Sequence, residues 1–216
     1  MQKSIVLALA LCAAAAPLLA QEAEPAADAE KPTEPVVIQL PAPDKTGGKP
    51  LMQALDARKS TRAFSEKEIS METLSSLLWA GFGVNRDDGR RTAPTARNTQ
   101  DITIYLLTAK GAFMYDAKAN TLVTISKDDA RDAAAPQAWA KKAPLMLYFV
   151  QPVAANEIFG AMHAGSIYQN ISLFNASEGL GDVVVGTMNR DAVAKALGLN
   201  ETQRIVVGQI VGWPQE

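Results

Sequence analysis

Arg58, Ser60 and Arg62 recur at every second position of the stretch "RKSTRAF". On an extended chain, residues two apart project to the same side. This spacing would therefore offer two guanidinium forks and a hydroxyl to one ligand. Such a set suits a phosphate or a polarised carbonyl, because guanidinium makes paired, charge-assisted hydrogen bonds. Lys59 would project away unless the chain turns. The same cluster also fits a solvated basic helix end, where the helix dipole favours cations. Spacing leaves both readings open.

A second polar stretch, "NRDDGRRTAPTARNTQD" from Asn85 to Asp101, joins a helix to an apolar run. It holds Arg86, Arg90, Arg91 and Arg97 beside the hydroxyl and amide groups of Thr95, Asn98 and Gln100. It is either a long surface loop or a functional one, since loops of this length inside a compact domain often carry function.

Other chemistries lack their residues. His163 is the single histidine and Cys12 the single cysteine. His163 lies within a helical run of small residues and reads best as a packed or hydrogen-bonded helix residue. A zinc site and a Ser-His-Asp triad both lack their ligand sets. "GFGVNRDDG" follows a helix rather than a strand, so it is no dinucleotide fingerprint, and no Walker loop is present. A net charge of -2 with 48% hydrophobic residues fits neither a nucleic-acid binder nor a disordered chain.

The N-terminus, "MQKSIVLALALCAAAAPLLAQEAE", has Lys3, an apolar run, Pro17 and a small residue at Ala20. That is the layout of a secretory signal peptide over residues 1–20, and it implies an exported protein, periplasmic or secreted. There is no twin-Arg pair, which favours the general secretory route. Leu11 before Cys12 argues against a lipid anchor. Removal of residues 1–20 would leave no cysteine, which excludes disulfides and thiol chemistry. Residues 21–50 read as a Pro/Ala/Glu-rich spacer, with "VVIQL" (Val36 to Leu40) as the exception, an edge strand laid on the domain or on a neighbouring subunit. No later stretch is apolar and long enough to span a membrane.

The remaining elements must position the two polar stretches. Residues 51–216 form the globular domain. "LMQALDAR" is a short helix, and "SMETLSSLLWAGFG" a stronger one with Ser70 as its cap and Leu74, Leu77, Leu78 and Phe82 facing inward. "DITIYLLTA" and "APLMLYFV" are buried strands, "AFMYDAKANTLVTI" a hairpin, and "DDARDAAAPQAWAKK" a helix interrupted at Pro136. A long helix follows from Glu157, ending at Gly179 or Gly181, then "DVVVG", a helix, and a last strand "RIVVGQIVGW". The pattern is α+β, one sheet covered on both faces.

Four motifs in order then resemble one family. "ARKSTRAF" resembles the Arg-x-Ser-x-Arg-x-Phe opening of the nitroreductase-like flavoproteins. "LLWAGFGVNRDDGRRTAPTARNTQ" is similar to that family's helix and Pro-Ser-x-x-Asn-x-Gln loop, nearest the branch that includes the SagB-type azoline oxidases. "GSIYQNISLFNASEGLGDVVVG" and "VGQIVGWP" match its long helix, turn, strand and ending. The likeness runs from Leu51 to Pro214. It implies a central mixed sheet flanked by helices, an intertwined homodimer, and FMN at each of two interface sites. It implies that Arg58, Lys59, Ser60 and Arg62 hold the phosphate, ribityl chain and pyrimidine edge. Pro94, Thr95 and Asn98 would come from the other subunit, with Thr95 in place of the usual Ser. Val184, Val185 and Gly186 would lie by the ring, a backbone N–H there bonding N5, so no side chain need act as acid or base. The activity implied is hydride transfer to or from a small organic substrate. NAD(P)H would be the family's donor, although an exported chain meets little of it. Many members also carry a Lys or Arg after the last strand, where this chain reads Gln215 and Glu216. That shifts phosphate binding toward Arg58 and its neighbours, with Arg204 as an added candidate. The alternative function is a binding protein that holds a flavin or small molecule without turnover.

Overall fold

Seven strands form one sheet in the order β1-β4-β3-β2-β5-β7-β6. The computed structural model describes residues 36–215. The signal-peptide reading, the first part of the spacer and Glu216 lie outside the described residues. The strands are β1 (Val37–Gln39), β2 (Thr103–Thr108), β3 (Gly111–Asp116), β4 (Thr121–Ser126), β5 (Leu145–Pro152), β6 (Gly181–Val185) and β7 (Gln203–Gly212). The helices are α1 (Leu51–Ala57), α2 (Met71–Phe82), α3 (Arg131–Ala134), α4 (Glu157–Glu178) and α5 (Arg190–Ala196).

Every pair between these strands is antiparallel. The sheet expected to be mixed is thus antiparallel among its strands; among the described residues one isolated parallel bridge joins Ser60 to Asp182 at the β6 edge. Its place matters, because it fastens the "RKSTRAF" segment to the sheet.

Both faces of the sheet are covered, as the unbroken apolar strands require. On one face Leu77, Leu78 and Phe82 of α2 and Ile167 and Ile171 of α4 pack on Ile104, Leu106, Leu147 and Phe149. On the other, Val193 and Leu197 from α5 and its end join Ala134 of α3 over Tyr105, Leu107 and Tyr148. The α2–α4 contact is close because Gly81 has no side chain; a Cβ there would lie 2.7 Å from Ile171.

The local chemistry of the elements is ordinary. The Ser70 side chain accepts the Thr73 N–H and caps α2. Asn156 caps α4 in the same way, and α4 ends at Gly179 with φ of 81°, the left-handed stop that glycine adopts most easily. The interrupted helix around Pro136 splits into α3 and a short 3-10 turn at Ala138–Lys142. Residues 36–50 are fastened to the fold. β1 pairs with β4, Leu40 is buried, Ser75 donates to the Pro41 carbonyl at 2.6 Å, and the Lys49 N–H reaches Ser177 at 2.6 Å.

Candidate active site

Arg58 closes α1 in an extended conformation, φ -60° and ψ 122°, its N–H bonded to the Ala54 carbonyl at 2.9 Å. The chain then runs along the outer edge of β6. The Thr61 N–H donates to the Asp182 carbonyl at 2.8 Å, and Gly181 makes room; a Cβ there would lie 2.6 Å from Thr61 Oγ1. Phe64 anchors the far end, buried against Trp139 and bridged to Pro214. The Ser65 N–H bonds the Trp213 carbonyl, and the Gln215 N–H bonds that of Ala63.

Between these anchors Arg58, Lys59, Ser60 and Arg62 are all exposed. No ion pair among the described residues takes a cation from this stretch. A bare run of like charge along one edge repels itself and favours an anion.

The support beneath this edge is a buried carboxylate. Asp182 Oδ1 accepts from the Ser172 hydroxyl at 2.7 Å and from Gln209 Nε2 at 2.9 Å, and Oδ2 accepts from Asn175 Nδ2 at 3.1 Å. Three donors from α4 and β7 thus fix the residue whose backbone holds Thr61. Nothing in the sequence marks Asp182, since its partners lie up to 27 positions away.

Val184 and Val185 are half-buried at the end of β6, and Gly186 is exposed, with open space where a Cβ would stand. β6 is an edge strand. The Asp182 carbonyl faces that edge, toward Thr61. By the alternation of an antiparallel strand, Val184 turns its backbone N–H to the same edge. The segment carrying Arg58, Ser60 and Arg62, and this amide, therefore lie along the same outer edge of β6.

Pro94, Thr95 and Asn98 sit on a different structure, a loop built around a 3-10 turn at Ala96–Asn98. Three of its non-glycine residues have left-handed backbones: Arg97 (φ 54°), Asn98 (φ 56°) and Gln100 (φ 48°). Such residues cost free energy and persist only where the surroundings hold them. Here the Gln100 N–H donates to Thr95 Oγ1 at 3.1 Å, while Gln100 Nε2 donates to the Gly89 carbonyl and to Asn98 Oδ1. Arg91 Nε donates to Gln100 Oε1 at 2.9 Å, its guanidinium 4.3 Å over the Phe82 ring. Burial pulls that guanidinium below its ordinary pKa. Arg91 is therefore part of the loop's support rather than a ligand for an outside anion.

His163 completes the clamp. Its Nε2 accepts the Ala96 N–H at 2.7 Å, and its Nδ1 lies 2.7 Å from Asp101 Oδ1. An acceptor Nε2 places the proton on Nδ1, donated to the carboxylate. The histidine is buried and fully engaged, the packed and hydrogen-bonded residue expected from its helix. Asp101 Oδ2 also accepts from Gln151 Nε2, and Gln151 Oε1 accepts from Arg204. Arg204 further donates to the Ala155 carbonyl and pairs with Glu157. Its role is thus to tie β7 and β5 to the start of α4. It is committed there and does not join Arg58 as a phosphate ligand.

The chain brings the 58–62 and 184–186 groups together on one edge. Among the described residues no hydrogen bond or ion pair joins 94–98 to them. Comparisons with known proteins bear on the family and the fold. The model of the nitroreductase family matches residues 55–213. A candidate nitroreductase from Ralstonia eutropha JMP134 is 38% identical, with a TM-score of 0.77 over 83% of this chain and 90% of that one. A candidate nitroreductase from Methanocaldococcus jannaschii is 27% identical over 76% of this chain and 90% of its own. The fold also matches a Desulfovibrio desulfuricans candidate nitroreductase solved in complex with FMN, at 21% identity and a TM-score of 0.58 over 78% of this chain and 88% of that one. The chain belongs to the nitroreductase family.

Proposed function

We propose that this protein is an FMN-dependent oxidoreductase acting on a small organic substrate. The observation that carries the reading is the β6 edge, along which the segment with exposed Arg58, Ser60 and Arg62 runs and toward which the Val184 amide turns. These residues fit FMN: guanidinium groups suit its phosphate and the electron-rich pyrimidine edge. The open space at Gly186 leaves room for a planar ring against the strand. Bound there, FMN would supply reversible two-electron transfer. The chain's own residues would bind and orient it. Arg58 and Arg62 hold charge, Val184 or Gly186 offers a backbone N–H, and the buried Asp182 cluster keeps the edge in place.

Pro94, Thr95 and Asn98 serve the site of a second copy in a homodimer. Exposed Leu51, Met52 and Leu55 on α1 and Ile158, Phe159 and Met162 on α4 supply the apolar surface that such pairing needs. Thr95 and Asn98 have each spent an acceptor within their own loop. What remains for a ligand is the Thr95 hydroxyl proton and the Asn98 amide N–H groups. The signal-peptide pattern of residues 1–20 supports action in the cell envelope, where NAD(P)H is scarce and another donor would serve.

The test avoids that donor. The protein is loaded with FMN, photoreduced without oxygen, and mixed with a nitroaromatic or a quinone. Reoxidation of bound flavin at least tenfold faster than free flavin, tracking acceptor concentration, is the expected result. Failure to take up FMN, or reoxidation no faster than in solution, contradicts the proposal.

A further inference from the structure

We propose that the large cleft beside the β2–β3 turn is a binding site for a single-chain anionic amphiphile, such as a medium-chain carboxylate. The cleft has a volume of about 860 Å³ and is lined by β1, β3, β4, the start of α2 and the segment leading into β5. That size lies in the range of small-molecule sites, roughly 300–1,000 Å³, and exceeds what an inorganic ion fills. None of the residues assigned to the flavin lines it, so it does not depend on the flavin reading.

Its floor is apolar: Ile38, Ile69, Leu74, Phe113, Leu122 and Leu145. Val36 and Met71 extend that surface to the mouth, both exposed. Leu74, Phe113, Leu122 and Leu145 are buried at the base and Ile38 and Ile69 partly buried, so the apolar surface open to water is mainly that of Val36 and Met71, and it favours an apolar occupant. The rim has the opposite character. Lys110, Lys127, Arg131, Lys141 and Lys142 stand there against two acids, Glu66 and Glu68.

Three of the cations already have partners. Lys110 pairs with Glu68 at 2.8 Å, Arg131 with Asp129 at 2.7 Å, and Lys141 with Asp132 at 3.2 Å. Lys127 and Lys142 pair with no acid among the described residues. An apolar floor under two such cations matches a hydrocarbon chain with one anionic head. The chain would leave water while the head stays at the solvated rim, so no charge is buried. A bilayer would meet a flat or convex apolar face more readily than this recessed one, so a free amphiphile is the occupant.

The experiment is calorimetric titration of the purified full chain with dodecanoate below its micelle concentration. Dodecanol and dodecyltrimethylammonium serve as head-group controls, and dioleoylphosphatidylglycerol vesicles as the membrane arm. The expected result is saturable binding of one dodecanoate per chain, at least tenfold tighter than either control. A Lys127→Glu/Lys142→Glu variant, changed only at exposed side chains, should weaken dodecanoate at least tenfold. Thr124→Trp, which fills the cleft from β4, should weaken all three chains alike. Several outcomes would overturn the proposal: no saturable dodecanoate binding, equal binding of the cationic or neutral chain, charge reversal changing affinity less than twofold, or binding to vesicles without binding to dodecanoate.

Discussion

Two segments assigned to the flavin are built in opposite ways. From Arg58 to Arg62 the chain is held by its backbone and leaves its charged side chains to solvent. From Arg91 to Asp101 the side chains of Arg91, Thr95, Asn98, Gln100 and Asp101 help to hold the loop's own shape, with His163 clamping it from α4. The first segment is rigid because β6 and Phe64 fasten it, so its side chains are available for binding. The second has no strand beside it and adopts three left-handed residues, so it must make its rigidity from side chains. A loop away from the sheet needs a fixed shape without the sheet's help; a loop on the sheet edge does not.

The largest effect that would sharpen this contrast is at Asp182. Asp182→Leu removes an acceptor of Ser172, Asn175 and Gln209 together and leaves the buried Ser172 and Asn175 donors unpaired, while Gln209 keeps the Tyr168 carbonyl. It should lower stability by about 3–5 kcal/mol, read by urea unfolding, because unpaired buried polar groups each cost about 1–3 kcal/mol. A loss below 1 kcal/mol would mean that the sheet edge does not depend on this cluster.

His163→Leu should cost about 2–3 kcal/mol, since it orphans the Ala96 N–H and removes a donor to Asp101. Its second signature is local: amide exchange of residues 95–100 should speed up while β5 stays protected. Uniform exchange across both regions would show that the histidine is ordinary core and no clamp.

Arg58→Ala and Arg62→Ala should behave in the opposite sense. Each should weaken FMN by about 1.5–3 kcal/mol, the worth of a charge-assisted contact. Each should leave unfolding within about 0.5 kcal/mol, as expected for exposed side chains. Destabilisation without loss of FMN affinity would reverse the comparison.

The smallest effect is at Arg97. Glycine adopts its left-handed φ without penalty, so Arg97→Gly should raise stability by up to about 1 kcal/mol, offset in part by the more flexible unfolded chain. A clear loss would mean that the exposed guanidinium contributes more than the backbone costs.

Much of the fold could be read from local pattern. Ser70 as a cap, the Leu74–Phe82 stripe, the hairpin around Lys118 to Asn120 and the Gly179 stop depend on neighbours within a few residues, where periodicity and capping act. The site was legible only in part. Spacing put Arg58, Ser60 and Arg62 on one side, but could not separate a ligand cradle from a solvated helix end. The four motifs in company imply the cradle, by resemblance. Asp182 and the His163–Asp101 clamp were not legible in these roles, because their partners are distant in sequence; His163 and Asp101 stand 62 positions apart. The backbone at Arg97 and Asn98 was hidden for another reason: neither is glycine, the residue that ordinarily announces a positive φ. Arg204 looked available as a free cation in the sequence, and its commitment to Gln151, Ala155 and Glu157 appears only once β5, β7 and α4 meet.

The central claim is that the Arg58–Arg62 edge grips FMN. Titration of the flavin-free protein with FMN, followed by quenching of flavin fluorescence, measures this directly beside an Arg58→Ala/Arg62→Ala double variant. The account predicts one FMN per chain, and an affinity at least a hundredfold weaker in the double variant with an unchanged unfolding midpoint. No FMN uptake by the unaltered chain, or equal affinity in both proteins, would contradict it.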